Sequence, residues 1–204
     1  MQQTLFAQTA DKEIPLLPFN GEVVYNEHFF TPAESDAYFT HLVDDIAWKQ
    51  EPIKMFGRSV LQPRLTAWYG NSGKSYSYSG ITMQPLPFTD ALLQIKQHIE
   101  PLAGVVFTSA LLNYYRNGQD SMGWHRDNEK ELGRNPVIGS VSFGAARSFQ
   151  LRNYADKSLV KTISLTHGSF LLMRGETQHY WEHRIPKTSQ PTGPRINITF
   201  RVIV

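Results

Sequence analysis

The chain carries, near its C-terminus, the sequence Arg195-Ile196-Asn197-Ile198-Thr199-Phe200-Arg201. Polar and apolar side chains alternate through this stretch, which is typical of a β-strand with two different faces. The simplest interpretation places the polar face in water and the apolar face in the core. The alternative turns the polar face toward the mouth of a barrel, where an arginine fork can hold a carboxylate and Asn197 supplies a neutral donor beside it. The strand alone leaves both interpretations open.

Much of the chain upstream of this strand has the same extended character. Segments rich in β-branched and aromatic residues predict strands at residues 23–30, 105–115, 137–143, 148–153, 159–165, 169–173 and 195–204. Many short strands after two helices near the front are typical of a double antiparallel sheet. We therefore expect a mainly β protein with flanking helices, of the α+β class. The expected architecture is a jelly roll, or double-stranded β-helix, with the N-terminal helices packed on the outside.

The two helices are predicted from their start signals. Thr31 and Glu34 form a capping box around a proline at the first helical position, and this helix should reach about Ile46. Its apolar face is expected to contain Phe39, Leu42, Val43 and Ile46. A second helix should begin after Thr89, run from Asp90 to about Leu102 and end near Gly104. Its stripe of Leu92, Leu93 and Ile99 is interrupted by Lys96.

Composition excludes several kinds of site. The 204 residues are 41% hydrophobic and 19% charged, which is ordinary for a globular protein with room for a core. The absence of cysteine excludes disulfides, zinc–thiolate sites and cysteine nucleophiles. We see no signal peptide and no stretch long enough to span a membrane. Residues 1–20 are expected to be a partly ordered leader, and residues 21–204 a single domain whose core is residues 105–204.

The net charge of +2 is distributed unevenly along the chain. Residues 1–48 contain eight Asp or Glu and one Lys, whereas residues 49–74 contain five Lys or Arg and one Glu. Residues 126–201 contain twelve basic and six acidic residues. Two basic stretches after an acidic one suit a polyanionic partner, although a solvated surface of mixed charge gives the same pattern. Lys49, Lys54, Arg58, Arg64 and Lys74 are candidate phosphate contacts.

A possible metal site begins with His125 and Asp127, which are separated by one residue. Two imidazoles and one carboxylate can bind one face of an octahedral Fe(II) ion and leave three positions open, as mononuclear oxygenases require. The second imidazole is ambiguous, because His179 and His183 both follow downstream. On an extended chain these two histidines share a face, so periodicity does not choose between them.

Several motifs together resemble a known family. They are His125-Arg126-Asp127-Asn128-Glu129, Trp181-Glu182-His183-Arg184-Ile185-Pro186, the Arg195–Arg201 strand and Leu112-Asn113-Tyr114-Tyr115. This set resembles the AlkB family of Fe(II)- and 2-oxoglutarate-dependent dealkylating dioxygenases, particularly the animal nuclear DNA-repair members and their bacterial relatives. The resemblance runs from about Pro52 to the C-terminus. The preceding leader matches nothing in the family.

The resemblance implies a role for each matching residue in the catalytic core. His125, Asp127 and His183 match the iron ligands, and the sequence context favours His183 over His179. Arg195 and Arg201 match the pair that holds 2-oxoglutarate. Polar residues expected to line the same pocket are Asn113, Tyr115 and Asn197. Fe(II) is thus the implied cofactor, with 2-oxoglutarate and O2 as co-substrates.

The resemblance also implies a substrate. The family reaction is oxidative dealkylation of N-alkylated bases, such as 1-methyladenine and 3-methylcytosine, coupled to conversion of 2-oxoglutarate to succinate and CO2 with release of an aldehyde. The partner is then nucleic acid, DNA first, with RNA left open. Residues 49–80 become a nucleotide-recognition segment, in which the resemblance implies that Phe56 probes the duplex, while the basic charge of the segment suggests that Arg58 contacts phosphate. Expected contacts to the target base are Tyr76, Tyr78 and Glu129.

Two other functions remain open from the sequence. One keeps the chemistry but hydroxylates a protein, lipid or small molecule, and the basic, aromatic segment 49–80 argues against it. The other is a jelly-roll binding module that uses a metal structurally or not at all, which leaves the arginines of the last strand unexplained. We expect a monomer with no membrane partner, located in the cytoplasm, or in the nucleus of a eukaryote.

Overall fold

The computed structural model describes residues 16–55, 58–71, 76–78, 81–83 and 85–204. Its strands, in chain order, are β1 (Glu22–Asn26), β2 (Pro52–Met55), β3 (Arg58–Leu61), β4 (Leu65–Gly70), β5 (Tyr76–Tyr78), β6 (Ile81–Met83), β7 (Ser109–Tyr115), β8 (Met122–His125), β9 (Ile138–Gly144), β10 (Arg147–Asn153), β11 (Val160–Leu165), β12 (Ser169–Arg174), β13 (Trp181–Ile185) and β14 (Arg195–Arg201). Its α-helices are α1 (Pro32–Asp45), α2 (Asp90–Ala103) and the single turn α3 (Thr177–Tyr180). A short 3-10 helix spans Lys130–Leu132.

Two antiparallel sheets form the body of the molecule. The large sheet has the order β1-β12-β9-β14-β7-β4, and the small sheet has the order β11-β10-β13-β8. Apolar side chains from both sheets meet in one buried cluster that includes Leu111, Leu171, Phe149, Leu151 and Ile185. Two facing antiparallel sheets with crossed-over strand order are the jelly-roll arrangement, so the predicted fold class is confirmed.

Strand β14 lies in the middle of the large sheet, between β9 and β7, and all of its residues are buried. Its apolar side chains, Ile196, Ile198 and Phe200, pack in a second core cluster with side chains of α1 and α2. The polar side chains therefore point the other way, into the space between the two sheets. The simplest interpretation of the alternation was wrong, because helices cover the apolar face and leave no face of this strand in water.

The helix start signals are confirmed in atomic detail. Thr31 Oγ1 accepts a hydrogen bond from the Glu34 amide at 3.3 Å, and the Glu34 carboxylate accepts one from the Thr31 amide at 2.9 Å. Helix α2 is capped by Thr89 and ends at Gly104, whose φ of 71° is the left-handed conformation that glycine adopts most easily. Both helices pack on the outer face of the large sheet, as predicted.

The predicted apolar faces needed adjustment. In α1 the fully buried apolar residues are Tyr38 and Leu42, whereas Phe39 and Val43 are only partly buried. In α2 the buried side of the helix contains Ile95 rather than Leu93, which remains 38% exposed. The pattern from Leu92 through Ile95 to Ile99 has the three- and four-residue spacing of a helix face.

The strands of the two main sheets that were not predicted are β4, β8 and β13. Strand β8 contains Gly123, and β13 alternates Glu182 and Arg184 with inward-facing residues, so neither has the apolar composition that marks a strand locally. Their pairing with neighbouring strands stabilises them instead. Most other boundaries moved by a few residues; the largest changes are at β1, which ends at Asn26 rather than at residue 30, and at β7, which begins at Ser109 rather than at residue 105.

The predicted leader lies mostly outside the described residues. Its last part, residues 16–20, is described and is attached to the domain: Leu17 is buried, and the Phe19 carbonyl accepts a hydrogen bond from Trp181 Nε1 at 3.1 Å. None of the helices in the described part of the chain has the length and apolarity that a membrane crossing needs.

Candidate active site

The small sheet brings three potential metal ligands together. His183 of β13 is the register partner of His125 at the end of β8, and Asp127 follows two residues later. One ligand atom from each of these side chains lies within 4.8 Å of the other two. Asp127 and His183 are buried, and His125 is half-buried at the rim. The two imidazole rings are 4.2 Å apart between centroids, close enough to share one ion.

The ring of His125 has a defined orientation. Its Nδ1 lies 2.9 Å from the carbonyl oxygen of Gly123, which can only accept, so Nδ1 donates the proton. The lone pair is then on Nε2, which faces Asp127 Oδ1 at 4.0 Å. For His183, Nδ1 is buried and has no hydrogen-bond partner among the described residues. An imidazole lone pair and a carboxylate oxygen therefore face the same point.

The protonation states suit a divalent cation. Burial lowers the pKa of His183 to about 3, with a further contribution from the nearby His125. Burial also lowers the pKa of His125. For Asp127 burial acts to raise the pKa, but Arg201 and the two histidines outweigh it and hold the pKa at about 2. At neutral pH the set is two neutral imidazoles and one carboxylate, the forms that bind metal.

Two further side chains hold Asp127 in place. Arg201 Nη2 donates to Asp127 Oδ1 at 2.9 Å, and both side chains are almost completely buried. The Asp127 amide donates to Oε1 of Gln178, on the single turn α3, at 2.9 Å. Reasoning from the sequence missed Gln178, because its contact with Asp127 spans 51 residues and no local signal marks it.

The geometry also separates the two candidate histidines. Residues Thr177–Tyr180 form a helical turn rather than an extended strand, so His179 and His183 do not share a face. His179 is exposed, and its Nε2 lies 2.9 Å from Asn135 Oδ1. Only His183 belongs to the group with His125 and Asp127 among the described residues.

Arg195 offers unused hydrogen-bond donors to the space between the sheets. It is 1% exposed, and its Nη2 donates to Ser142 Oγ at 2.9 Å. Its Nε and Nη1 are buried and have no acceptor among the described residues. Burial lowers the pKa of Arg195 to about 10, so the guanidinium stays charged at neutral pH. A buried cation with unsatisfied donors is costly, and a bound carboxylate satisfies both the charge and the donors.

The other polar residues of the pocket are already partly engaged. The Asn197 amide donates to Ser140 Oγ at 2.8 Å and to the Val141 carbonyl at 3.0 Å, which uses both of its hydrogens. Its oxygen accepts from Thr199 Oγ1 at 3.2 Å. Asn197 therefore does not present the free donor that the sequence led us to expect. The ring of Tyr115 lies beside Arg195, whose Cζ is 5.1 Å from the ring centroid.

One pocket contains the whole arrangement. The space inside it, counted out to its open mouth, is about 430 Å³. Its walls include all eight expected metal and co-substrate residues: Asn113, Tyr115, His125, Asp127, His183, Arg195, Asn197 and Arg201. Apolar side chains complete the lining, among them Leu111, Met122, Phe149, Leu165 and Met173.

The expected substrate residues are less well represented. Phe56 lies outside the described residues, and Arg58, Tyr76 and Tyr78 are described only as members of β3 and β5. Glu129 lies just before the 3-10 helix and does not line the pocket; its Oε2 is buried without a hydrogen-bond partner in the described chain.

Arg64 was expected among the phosphate contacts, and the structure does not support this. The residue is buried, and its guanidinium bonds Asn113 and the Ser121 carbonyl.

Comparison with known proteins agrees with this arrangement. A profile of the 2OG-Fe(II) oxygenase superfamily matches residues 22–201. The alpha-ketoglutarate-dependent dioxygenase alkB homolog 3 of Bos taurus is 45% identical over 180 residues, covering 83% of this chain and 62% of the bovine protein. The Homo sapiens protein of the same name is 43% identical over 202 residues, covering 94% of this chain and 70% of its own length.

A second relative carries a different name. The DNA oxidative demethylase ALKBH2 of Homo sapiens is 35% identical over 185 residues, covering 86% of this chain and 71% of that protein. Among solved structures, one titled "The structure of OsALKBH1" superposes with a TM-score of 0.63 and covers 88% of this chain and 97% of that one. Its sequence identity is 16%, so this similarity concerns the fold alone.

Proposed function

The chain belongs to the 2OG-Fe(II) oxygenase superfamily, and we propose that it removes alkyl groups from bases of the 1-methyladenine and 3-methylcytosine type in nucleic acid. The observation that carries this proposal is a single pocket lined both by His125, Asp127 and His183 and by Arg195, whose Nε and Nη1 have no acceptor among the described residues. The names of the relatives, a DNA oxidative demethylase among them, support the choice of substrate.

In this proposal His125, Asp127 and His183 hold Fe(II). When bound there, the iron would supply the oxidation of the substrate's alkyl carbon by O2, with 2-oxoglutarate converted to succinate and CO2 and the alkyl carbon released as an aldehyde. The chain's contribution is to keep both imidazoles neutral and the carboxylate ionised. Arg201 fixes the carboxylate of Asp127, and Gln178 accepts a hydrogen bond from the backbone amide of the same residue. Apolar residues such as Leu111 and Phe149 exclude water from the pocket.

The two arginines, Arg195 and Arg201, would contact different ends of 2-oxoglutarate. They stand at opposite ends of β14, and about 20 Å of extended strand separates their Cα atoms. Arg201 reaches the metal ligand Asp127, whereas Arg195 lies beside Tyr115 and Ser142. We infer that Arg195 binds the carboxylate of 2-oxoglutarate that is remote from the metal. Arg201 would contact the other end of 2-oxoglutarate, next to the metal ligand Asp127.

A nucleic-acid partner is supported by the outer surface of the small sheet. Trp124 lies between two guanidinium groups there, with Arg152 Cζ 4.1 Å and Arg184 Cζ 4.4 Å from its ring centroid. Arg126 and Lys157 flank Tyr154 at 3.9 and 4.2 Å. We call Arg126, Arg152, Lys157 and Arg184 the cationic face.

Only one carboxylate among the described residues pairs with the cationic face, that of Glu182, which contacts Arg152 and Lys157. Arg126 and Arg184 instead donate to the His179 carbonyl and to Gln150, which are uncharged. The face thus keeps a net positive charge. Because alternate residues of β8 and β13 point to opposite sides, it lies directly behind the metal ligands. A phosphate backbone is the polyanion that such a face suits.

The remaining expectations enter the proposal on the strength of the family resemblance. Phe56 is proposed to probe the duplex, Tyr76, Tyr78 and Glu129 to contact the flipped base, and residues 49–80 to form the recognition segment. Arg58, whose assignment comes from the basic charge of that segment, is proposed to contact phosphate. Residues 21–204 are proposed to act as one domain and as a monomer. Location in the cytoplasm, or in the nucleus of a eukaryote, is likewise a proposal.

Succinate release tests the function directly. Purified protein with Fe(II), 2-oxoglutarate and O2 is assayed with an oligonucleotide that carries 1-methyladenine or 3-methylcytosine, with the unmethylated oligonucleotide, and with none. We expect succinate and formaldehyde in equal amounts with the methylated strand only. Succinate release without any response to methylation points to a protein or small-molecule hydroxylase, and no release at all points to a non-catalytic metal-binding module.

A further inference from the structure

Arg64 is a buried cation that the proposed chemistry does not use. It lies immediately before β4 and is 5% exposed. Its Nε donates to Asn113 Oδ1 at 2.7 Å, and its Nη1 donates to the Ser121 carbonyl at 3.2 Å. The short bond to Asn113 joins a residue outside the pocket wall to one inside it, since Asn113 lines the pocket and Arg64 does not.

The chemistry of the two groups fixes the direction of the Asn113 amide. A guanidinium has donors only, so the end of the amide that faces Arg64 must be the oxygen. The NH2 end then points away from Arg64. It has no hydrogen-bond acceptor among the described residues. Strand β7 places Asn113 between Thr66 of β4 and Asn197 of β14, and of these three Asn113 and Asn197 line the pocket.

Asn197 provides an internal comparison, because it faces the same pocket from the neighbouring strand. Both of its amide hydrogens are bonded, to Ser140 and Val141. Of the two asparagines in this wall, only Asn113 has an NH2 group without an acceptor in the described part of the chain. The Arg64 bond to Asn113 Oδ1 therefore sets which end of this amide is left to face the pocket.

We propose that Arg64 is a positioning residue, which holds the Asn113 amide with its NH2 group toward the co-substrate so that it donates to 2-oxoglutarate. The inference rests on the proposed function in one respect, the identity of the ligand. Pre-orientation of a donor improves affinity because the bound orientation costs no rotamer entropy when the ligand arrives. Arg64 itself contacts no ligand in this arrangement.

A double-mutant cycle on ligand affinity tests the proposal without turnover. Titration calorimetry measures 2-oxoglutarate binding to the protein loaded with Mn(II) in place of Fe(II). Arg64→Met should weaken 2-oxoglutarate by about three- to tenfold, the effect of one hydrogen bond. Asn113→Ala should weaken it by at least as much. In the Asn113→Ala background Arg64→Met should have no further effect, because the group that it orients is gone.

Two further variants, Arg64→Lys and Arg116→Met, serve as controls for this experiment. Lysine keeps the charge with a single donor group, so Arg64→Lys should retain part of the 2-oxoglutarate affinity. If thermal melting shows that Arg64→Met does not fold, Arg64→Lys replaces it in the double-mutant cycle. Arg116 is an exposed arginine that forms an ion pair with Asp120 and does not line the pocket. Arg116→Met should therefore leave 2-oxoglutarate affinity unchanged.

Several results would overturn the proposal. Arg64→Met that leaves 2-oxoglutarate affinity intact excludes the positioning role. Equal effects of Arg64→Met with and without Asn113 mean that Arg64 acts on the ligand or on the fold by another route. A raised KM for the methylated oligonucleotide alone makes Arg64 a substrate contact. Wild-type protein that binds no 2-oxoglutarate overturns the proposed function together with this inference, whereas the preceding outcomes leave that function standing.

Discussion

His183 and His179 show how much one local conformation matters. They lie four residues apart, yet α3 turns His179 to the surface and β13 points His183 into the pocket. Asp127 shows the same dependence on context, because burial acts to raise the pKa of its carboxyl and the charge of Arg201 is the largest influence that lowers it. Individual side chains at this site owe their chemistry to neighbours that are distant in sequence.

The histidines give the first prediction. His183→Ala should abolish both turnover and Fe(II) binding, since it removes one of three ligands. His179→Ala should leave most of both, because its ring contacts only Asn135 at the surface. Equilibrium dialysis with Fe(II) under anaerobic conditions, alongside the succinate assay, separates the two variants. A dead His179→Ala protein with a normal melting temperature would contradict the ligand assignment.

The two arginines of β14 should differ in what they control. Arg195→Met should weaken 2-oxoglutarate by about ten- to a hundredfold, the effect of hydrogen bonds to a charged group, and should leave metal affinity unchanged. Arg201→Met should weaken both, because it also frees Asp127. Calorimetry with Mn(II) and then with 2-oxoglutarate measures each effect. Arg195→Lys is the control that keeps the charge and should rescue only in part, since it lacks the planar fork.

The N-terminal cap of α1 can be tested away from the pocket. The capping box of α1 is complete and lies on the outer side of the large sheet. Thr31→Ala should lower stability by about 1 kcal/mol, a fall in Tm of about 2–4 °C for a chain of this size. Thr40→Ala is the matched control within the same helix, where an exposed threonine only bonds the Asp36 carbonyl. Unchanged melting of Thr31→Ala would show that packing alone holds the helix end.

The loop between β7 and β8 should respond to pH through Asp120. Burial acts to raise the pKa of this carboxyl, but hydrogen bonds and charge from Arg116, together with Arg147, bring it below its usual value of 3.8. A lowered folded-state pKa stabilises the fold above the unfolded pKa, and the contribution is lost as pH falls through the folded value.

Asp120→Asn should therefore lower the free energy of unfolding at pH 7 by about 1–3 kcal/mol. The difference from wild type should shrink at a pH below 3.8. Urea denaturation at both pH values measures this. A difference that stays constant with pH would mean that the substitution disturbs packing rather than an ion pair.

The outer surfaces of the two sheets differ in what covers them. Helices cover the outer face of the large sheet, whereas the cationic face covers the outer side of the small sheet, behind the metal ligands. Positive charge is thus exposed on the outer side of the small sheet, whose inner side carries the metal ligands His125 and His183. A polyanionic substrate would therefore be attracted to one side of the molecule only.

Salt dependence tests this directly. Arg184→Gln should weaken oligonucleotide binding and reduce the slope of log K against log salt by about 0.7–0.9, the effect of one phosphate contact. Lys96→Gln removes the same charge from α2, on the opposite side, where Lys96 pairs with Glu100, and should leave the slope unchanged. Equal slopes for wild type and Arg184→Gln would remove this face from the proposed interface.

Short-range patterns were sufficient for much of this protein. The alternation of β14, the capping box at Thr31 and the glycine stop of α2 depend on neighbours within a few residues, so they were predictable from the chain. For the ligand set, the local pattern left His179 and His183 open and the family resemblance favoured His183; the structure brings His125, Asp127 and His183 together.

Features that depend on long-range contacts were not predictable in this way. Which face of β14 lines the pocket depends on where α1 and α2 pack, because alternation marks two faces without saying what covers them. Strands β8 and β13 exist through pairing across the sheet, and α3 turns His179 away from its expected position. The contacts of Gln178 with Asp127 and of Arg64 with Asn113 join residues 51 and 49 positions apart, and only folding brings those atoms within hydrogen-bonding distance.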